Sequence, residues 1–253
     1  MKPLRMSVTA VLLDIDDTLV DTTSAMIGAG AVGMAAVWPE QDPQWHEHAA
    51  VRFRTDPGGF FRRYTAGTLD FETMRAHRLA EVGVAHGLPV PSRAFEMYEK
   101  AFRPAFLARQ HRYGDVLPFL QACDEAGIAV GALTNSSEEA TLPKLAATDL
   151  AGRFGALVTR DTLGFGKPDA RVFREACERL GSEPAGTAYI GDEWEADIVG
   201  ASDAGLHPIW LRRRGDNTPA SPVDVPFITT LAEVSPVADG LDLPDLGAAP
   251  STG

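Results

Sequence analysis

Cysteine is scarce in this chain: Cys123 and Cys177 are the only two among 253 residues. They offer no disulfide framework and no Cys-x-x-Cys metal site. Each falls in a helical pattern beside apolar residues, the setting of a buried free thiol. Long apolar runs are missing too, and no stretch approaches the roughly 18 residues of a membrane span. Val8 to Leu13 follows basic residues but stops at Asp14, with no small-residue cleavage site after it, so it does not read as a secretory signal. A cytoplasmic protein is expected. Positive charge is the third shortage: 23 Lys and Arg stand against 35 Asp and Glu, a formal net charge of −12. That balance argues against nonspecific binding to nucleic acid or an anionic membrane. An anionic substrate would need local cations or a metal to approach such a protein.

What is present is an alternation of apolar runs and helical patterns. Val8 to Leu13 reads as a buried strand. Further strands are expected at Ile128–Leu133, Ala156–Val158, Thr187–Ile190 and His207–Leu211, with a weaker one at Pro226–Thr229. Helical patterns at Val116–Ala126, Glu138–Ala147, Ala170–Leu180 and Glu195–Ala204 separate them. Such alternation implies βαβ units, so the fold class is α/β with a doubly wound parallel sheet. Ligands of these sheets bind beyond the carboxyl ends of the strands.

The segment 22–112 breaks the pattern. It has helical stretches at Thr23–Val37, Gln44–Arg54, Phe71–His86 and Ser92–His111, with turn signals at Asp56-Pro57-Gly58-Gly59 and Leu88-Pro89-Val90-Pro91. It is expected to be an inserted helical cap domain, with 1–21 and 113–234 forming the core. The stretch 235–253, rich in Pro, Gly, Ala and Asp, is expected to be a disordered tail.

Chemistry-bearing residues gather at the expected strand ends. Asp14, Asp16 and Asp17 put three carboxylates in four positions after the first strand, an arrangement that a hard, oxygen-ligated cation such as Mg²⁺ would neutralise. Gly191-Asp192 ends another strand, with Asp197 a helical turn further on, and the two acidic strand ends could share one metal. Gly166-Lys167-Pro168 holds a lysine in a loop, where it could balance carboxylates and hold a phosphoryl oxygen. Thr134-Asn135 brings a hydroxyl and an amide to a strand end.

Taken in order, these pieces resemble the haloacid dehalogenase superfamily, in its phosphatase-like branch with a helical cap. That family's Asp-x-Asp-x-Thr motif matches Asp14, Asp16 and Thr18. Its Thr or Ser after a strand matches Thr134, its Lys-Pro matches Lys167-Pro168, and its Gly-Asp with a later Asp matches Gly191-Asp192 and Asp197. The resemblance spans roughly residues 6 to 232. It implies a Mg²⁺-dependent phosphomonoester hydrolase acting on a small phosphorylated metabolite through an aspartyl-phosphate. Asp14 would be the nucleophile and Asp16 the acid and base. Asp14, the Asp16 backbone carbonyl and Asp192 would hold the metal. Thr134, Asn135 and Lys167 would meet the phosphate, with Asp197 and Thr18 acting from behind. Dehalogenases of the superfamily lack an acid two positions after the nucleophile, and this chain has Asp16. A 2-haloacid dehalogenase, a sugar-phosphate mutase and a noncatalytic binding domain are the alternatives.

Substrate choice would lie in the cap, where Arg62, in Gly58–Tyr64, is a candidate contact for a second anionic group. Arg212-Arg213-Arg214 reads as surface charge. His46 and His48 do not share a helix face and carry no zinc site.

Overall fold

The computed structural model describes residues 4–214 and 225–244. A short strand, β1 (Leu4–Met6), precedes β2 (Ala10–Leu13), whose four residues are all buried and apolar. The sheet that β2 enters continues with β3 (Ala129–Leu133), β4 (Ala156–Val158), β5 (Thr187–Gly191), β6 (His207–Leu211) and β7 (Phe227–Ile228). Its spatial order is β4-β3-β2-β5-β6-β7, and every pairing is parallel. A strand buried on both faces must be apolar along its whole length, which is why β2 has no alternation. The order reverses at β2: the chain runs outward through β3 and β4, then returns to the other side at β5. Such a switch point leaves a crevice beyond the strand ends. Leu13 pairs with both Ala132 and Ile190, so the residues just past β2, β3 and β5 are brought level there.

Between β2 and β3 the chain forms α1 (Thr22–Val37), α2 (Pro43–Thr55), α3 (Phe60–Thr65), α4 (Phe71–Ala85) and α5 (Ala94–Ala108). Carboxylates start three of these helices: Asp21, Asp42 and Asp70 accept from the backbone of Ser24, Trp45 and Thr73, supplying amides that the first turn leaves unpaired. A core of Met34, Phe53, Leu79, Tyr98 and Phe102 joins α1, α2, α4 and α5. Arg75 is buried in this unit on Glu99, at 2.6 Å, with its guanidinium 4.4 Å above the Phe102 ring. The remaining helices are α6 (Val116–Ala126), α7 (Glu138–Ala147), α8 (Arg160–Leu163), α9 (Ala170–Leu180) and α10 (Gly200–Ala204). Two compact units result. One holds the residues up to Leu19, Arg112–Asn135 and those from Leu150 on; the other holds 20–111 together with 136–149. The second unit is thus wider than the expected 22–112, because α7 groups with it: Lys144 lies 6.0 Å from the Phe106 ring of α5.

Several expectations need correcting. The stretch from Ser235 is not featureless. It forms β8 (Ser235–Val237) and β9 (Gly240–Leu243), an antiparallel hairpin whose β9 pairs with β1. Ala238-Asp239 makes the turn between Val237 and Gly240, with Asp239 at φ 62°, and Leu241 and Leu243 are buried. The Asp-Gly dipeptide is a turn signal in sequence, although Gly240 opens β9; Pro236 is compatible with the hairpin because β8 is an edge strand. The rest of that expected tail, 245–253, lies outside the described residues. Within Gly58–Tyr64, α3 (Phe60–Thr65) begins at Phe60, and Arg62 and Arg63 are exposed on it. His46 is a buried core histidine whose Nε2 lies 2.9 Å from the Trp38 carbonyl. Both thiols are buried, and burial pushes Cys123 up to about 12. Among the described residues no helix is long and apolar enough to cross a membrane.

Arg213 is the largest departure, because it is not surface charge. Its guanidinium makes two 2.9 Å bonds to Asp115, donates to the Thr18 carbonyl at 2.8 Å and lies 3.9 Å above the Tyr113 ring. Asp115 also accepts from the Thr230 hydroxyl and the Leu231 amide. This node ties the loop after β2 to the segment after β7. Burial alone would raise the Asp115 carboxyl, but the bonds from Arg213 and Thr230 outweigh it and hold the group below its usual range. The ionised form is therefore favoured in the fold, and its contribution is complete above the unfolded pKa of about 3.9 and lost as pH falls through the lowered folded value. Asp115→Asn should cost about 3 kcal/mol at neutral pH by stranding Arg213. Urea unfolding should also show the variant losing less stability than wild type on acidification. Equal acid sensitivity would show that the node does not titrate with folding.

Candidate active site

Asp14 is the first residue past β2, and its amide still donates to the Ile190 carbonyl at 2.9 Å, so the strand ladder fixes its backbone. The chain then turns through Asp17, at φ 59°, a left-handed conformation that Asp tolerates better than most residues. The turn leaves Asp14, Asp17 and Thr18 buried and Asp16 partly exposed. The Thr18 hydroxyl donates to Asp192 Oδ1 at 3.4 Å. Thr134, just past β3, donates to Asp16 Oδ2 at 3.3 Å. Three strand ends thus supply the acid, hydroxyl and carboxylate groups.

Lys167 stands among them. Its loop is clamped by Asn135, whose Oδ1 accepts from the Lys167 amide at 2.6 Å and whose Nδ2 donates to the Lys167 carbonyl at 3.0 Å. Gly166 permits this clamp: a Cβ there would lie 2.1 Å from Asn135 Oδ1. Asn135, expected to meet phosphate, is placed as a holder of this loop. The Lys167 ammonium, only 4% exposed, donates to Asp14 Oδ1 at 2.6 Å, to Asp197 Oδ1 at 2.6 Å and to the Tyr189 hydroxyl at 2.9 Å. Burial would strip the ammonium of its proton, yet Asp14 and Asp197 outweigh burial and hold its pKa above the usual lysine range.

Asp197 is wholly buried on a π-helical turn, Trp194–Val199, where a regular helix from Glu195 was expected. Its other oxygen accepts from the Glu193 amide at 2.9 Å. Gly191 makes room for it, since a Cβ there would lie 2.4 Å from the Asp197 carboxyl carbon. Asp192 is partly exposed, and its backbone carbonyl accepts from Trp210 Nε1 at 2.8 Å. Tyr189 and Trp210 went unnoticed in the sequence, where each reads as a core aromatic within an apolar strand. The only signal was that a buried phenol or indole needs a partner for its polar atom.

One oxygen from each of Asp14, Asp192 and Asp197 lies within 4.8 Å of the others. Burial raises Asp14 to about 8 against the pull of Lys167, and Asp197 and Asp16 add to the rise. Burial, with Asp14 and Asp197 beside it, also raises Asp192 well above the ordinary carboxylate range. An all-carboxylate set with more negative charge than its one lysine matches fits a hard divalent cation. Asp197 already has Lys167, Tyr189 and Glu193 on its two oxygens, so Asp14 and Asp192 are the better carboxylate donors. The expected set also included Asp16; its carboxylate accepts from Thr134, and only its carbonyl was expected to reach a metal. Arg62 belongs to the other unit.

A family model described as a haloacid dehalogenase-like hydrolase matches residues 8–205. A phosphoserine phosphatase from Thermus thermophilus is 34% identical over 134 residues, 52% of this chain and 53% of that protein; the chain thus spans about half the length of that relative. A phosphoglycolate phosphatase from Thiobacillus denitrificans is 26% identical over 93% of this chain and 97% of its own. An L-2-haloacid dehalogenase from Xanthobacter autotrophicus shares the fold, with a TM-score of 0.67 and 20% identity over 89% of this chain and 96% of that one.

The fit of Asp197 against Gly191 is directly testable. Gly191→Ala should cost about 1–3 kcal/mol by overpacking, seen as a lowered urea or thermal midpoint. An unchanged midpoint would show that Asp197 can move aside freely.

Proposed function

The chain belongs to the haloacid dehalogenase-like hydrolase family, and from that premise we propose that it is a Mg²⁺-dependent phosphomonoester hydrolase working through an aspartyl-phosphate on Asp14. The observation that carries this reading is Asp16, two residues past Asp14 and bonded to the Thr134 hydroxyl at 3.3 Å. A phosphate ester needs an acid for its leaving oxygen, whereas a halide departs without one. The chain is similar to haloacid dehalogenases in sequence as well as in fold, so the choice between the two activities rests on Asp16.

In the first half-reaction a carboxylate oxygen of Asp14 attacks phosphorus. The bond to the ester oxygen breaks, and Asp16 gives that oxygen its proton. In the second, water attacks the aspartyl-phosphate, Asp16 takes the water's proton, and Asp14 is freed with release of inorganic phosphate. Lys167 neutralises Asp14 and keeps it aimed, so that little reorganisation is left for the reaction itself. Thr134 donates to Asp16 and orients it; turned to the substrate instead, the same hydroxyl would bond a phosphoryl oxygen. Mg²⁺ held by Asp14, Asp192 and the Asp16 carbonyl would screen the nucleophile from the phosphoryl dianion and stabilise its oxygens. Thr18 and Trp210 support this by fixing Asp192.

The substrate we propose is a small phosphorylated metabolite in the cytoplasm. Phosphoserine and phosphoglycolate, which the relatives' names supply, both carry a carboxylate beside the phosphate, and Arg62 remains the candidate contact for such a second anion. Phosphate release should be measured over a panel of these esters, sugar phosphates, nucleotides and an aryl phosphate. Release should require Mg²⁺, stop with chelator and return when Mg²⁺ is restored. Asp14→Asn should lower it by at least about a thousandfold, the loss of the nucleophile itself. Wild-type turnover retained in Asp14→Asn, or release indifferent to chelator, would overturn the reading; chloride release from 2-haloacids alone would replace it with the dehalogenase.

A further inference from the structure

An ammonium carries three N–H donors, and the structure gives Lys167 three acceptors: Asp14 Oδ1 at 2.6 Å, Asp197 Oδ1 at 2.6 Å and the Tyr189 oxygen at 2.9 Å. The phenol accepts from Lys167 and donates its single proton to Asp197 Oδ1 at 2.9 Å, while the Leu133 carbonyl, at 3.5 Å, is too distant to compete well. Tyr189 is fully buried in β5, with its ring packed edge-on against Phe173 at 5.0 Å between centroids. A phenylalanine would fill the same space against Phe173. What it would lose is the hydroxyl, and the partners of that hydroxyl are site groups.

Two of the three Lys167 bonds therefore run to wholly buried groups, Tyr189 and Asp197. The third runs to Asp14. We propose that Tyr189 is a positioning residue for the phosphoryl transfer: it takes one N–H of Lys167 and locks Asp197, so that the ammonium is left with one donor, directed at the nucleophile. The proposal rests on the function reading above and adds a residue to it. Without the hydroxyl, Lys167 gains a free N–H in a buried space, and the ammonium can rotate away from Asp14.

Tyr189→Phe in the full chain tests this by two readouts. The first is ¹⁵N NMR of the lysine ammonium groups, which does not depend on catalysis. Wild type should show a slowly exchanging ammonium, assigned to Lys167 by its disappearance in Lys167→Met, and Tyr189→Phe should lose that protection. The second is kinetic: kcat for the best phosphomonoester should fall about tenfold to a hundredfold, the range for a lost hydrogen bond to a charged group, with KM and Mg²⁺ half-saturation unchanged. Phe173→Leu, which loosens the ring packing and keeps the hydroxyl, should retain both the signal and kcat. The proposal is overturned if wild type shows no protected ammonium, if Tyr189→Phe keeps its protection and kcat, or if Phe173→Leu loses both as Tyr189→Phe does. Should wild type release no phosphate from any ester, the function reading fails, and the ammonium measurement still decides whether Tyr189 holds Lys167.

Discussion

An ammonium sealed from water is tolerable only if acidic groups surround it, and acidic groups crowded at strand ends are tolerable only if a cation stands among them. Lys167, with Asp14 and Asp197 each 2.6 Å away, meets both conditions at once. Burial of either kind of group alone would cost several kcal/mol, and removing one partner of such a pair leaves the other stranded. Much of the surrounding structure serves this contact. Asn135 and Gly166 fix the lysine's backbone, Gly191 admits Asp197, and the π-helical turn brings the Asp197 carboxylate back onto the Glu193 amide. The central position of β2 between β3 and β5 brings Asp14 level with the other strand ends.

Under the proposed function, the same contact accounts for how a chain of net charge −12 would take an anionic substrate. The site does not borrow its positive charge from the surface. It has one buried lysine and a carboxylate set whose raised Asp14 and Asp192 mark it as short of cations, the condition under which a divalent ion binds well. A phosphoryl group then meets a local balance unlike that of the protein as a whole.

The parallel sheet and the strand-end motifs were legible in the sequence because physics leaves few choices there. A doubly buried strand has to be apolar, and the carboxylates at its end have to face a cation. Asp14, Thr134, Lys167 and Asp192 announced themselves as polar groups punctuating apolar runs. Tyr189 did not, since its ring is spent on the core and only its hydroxyl reaches the site. Arg213 looked like one of three surface arginines because its partner, Asp115, lies far away in sequence. The β8–β9 hairpin was hidden by a Pro- and Gly-rich composition that usually means disorder, although Asp239-Gly240 carried the turn signal. That the Asn135 side chain also holds the Lys167 backbone could not be read from the sequence, because nothing local shows that the two loops meet.

The central claim is that Asp14 becomes covalently phosphorylated during turnover. The most direct measurement is borohydride trapping: protein mixed with Mg²⁺ and its best phosphomonoester is quenched, reduced and digested, and the peptide containing Asp14 is weighed. Reduction of an aspartyl-phosphate converts that aspartate to homoserine, so the account predicts homoserine at position 14 only when substrate is present. Phosphate release with Asp14 left as aspartate throughout would contradict it.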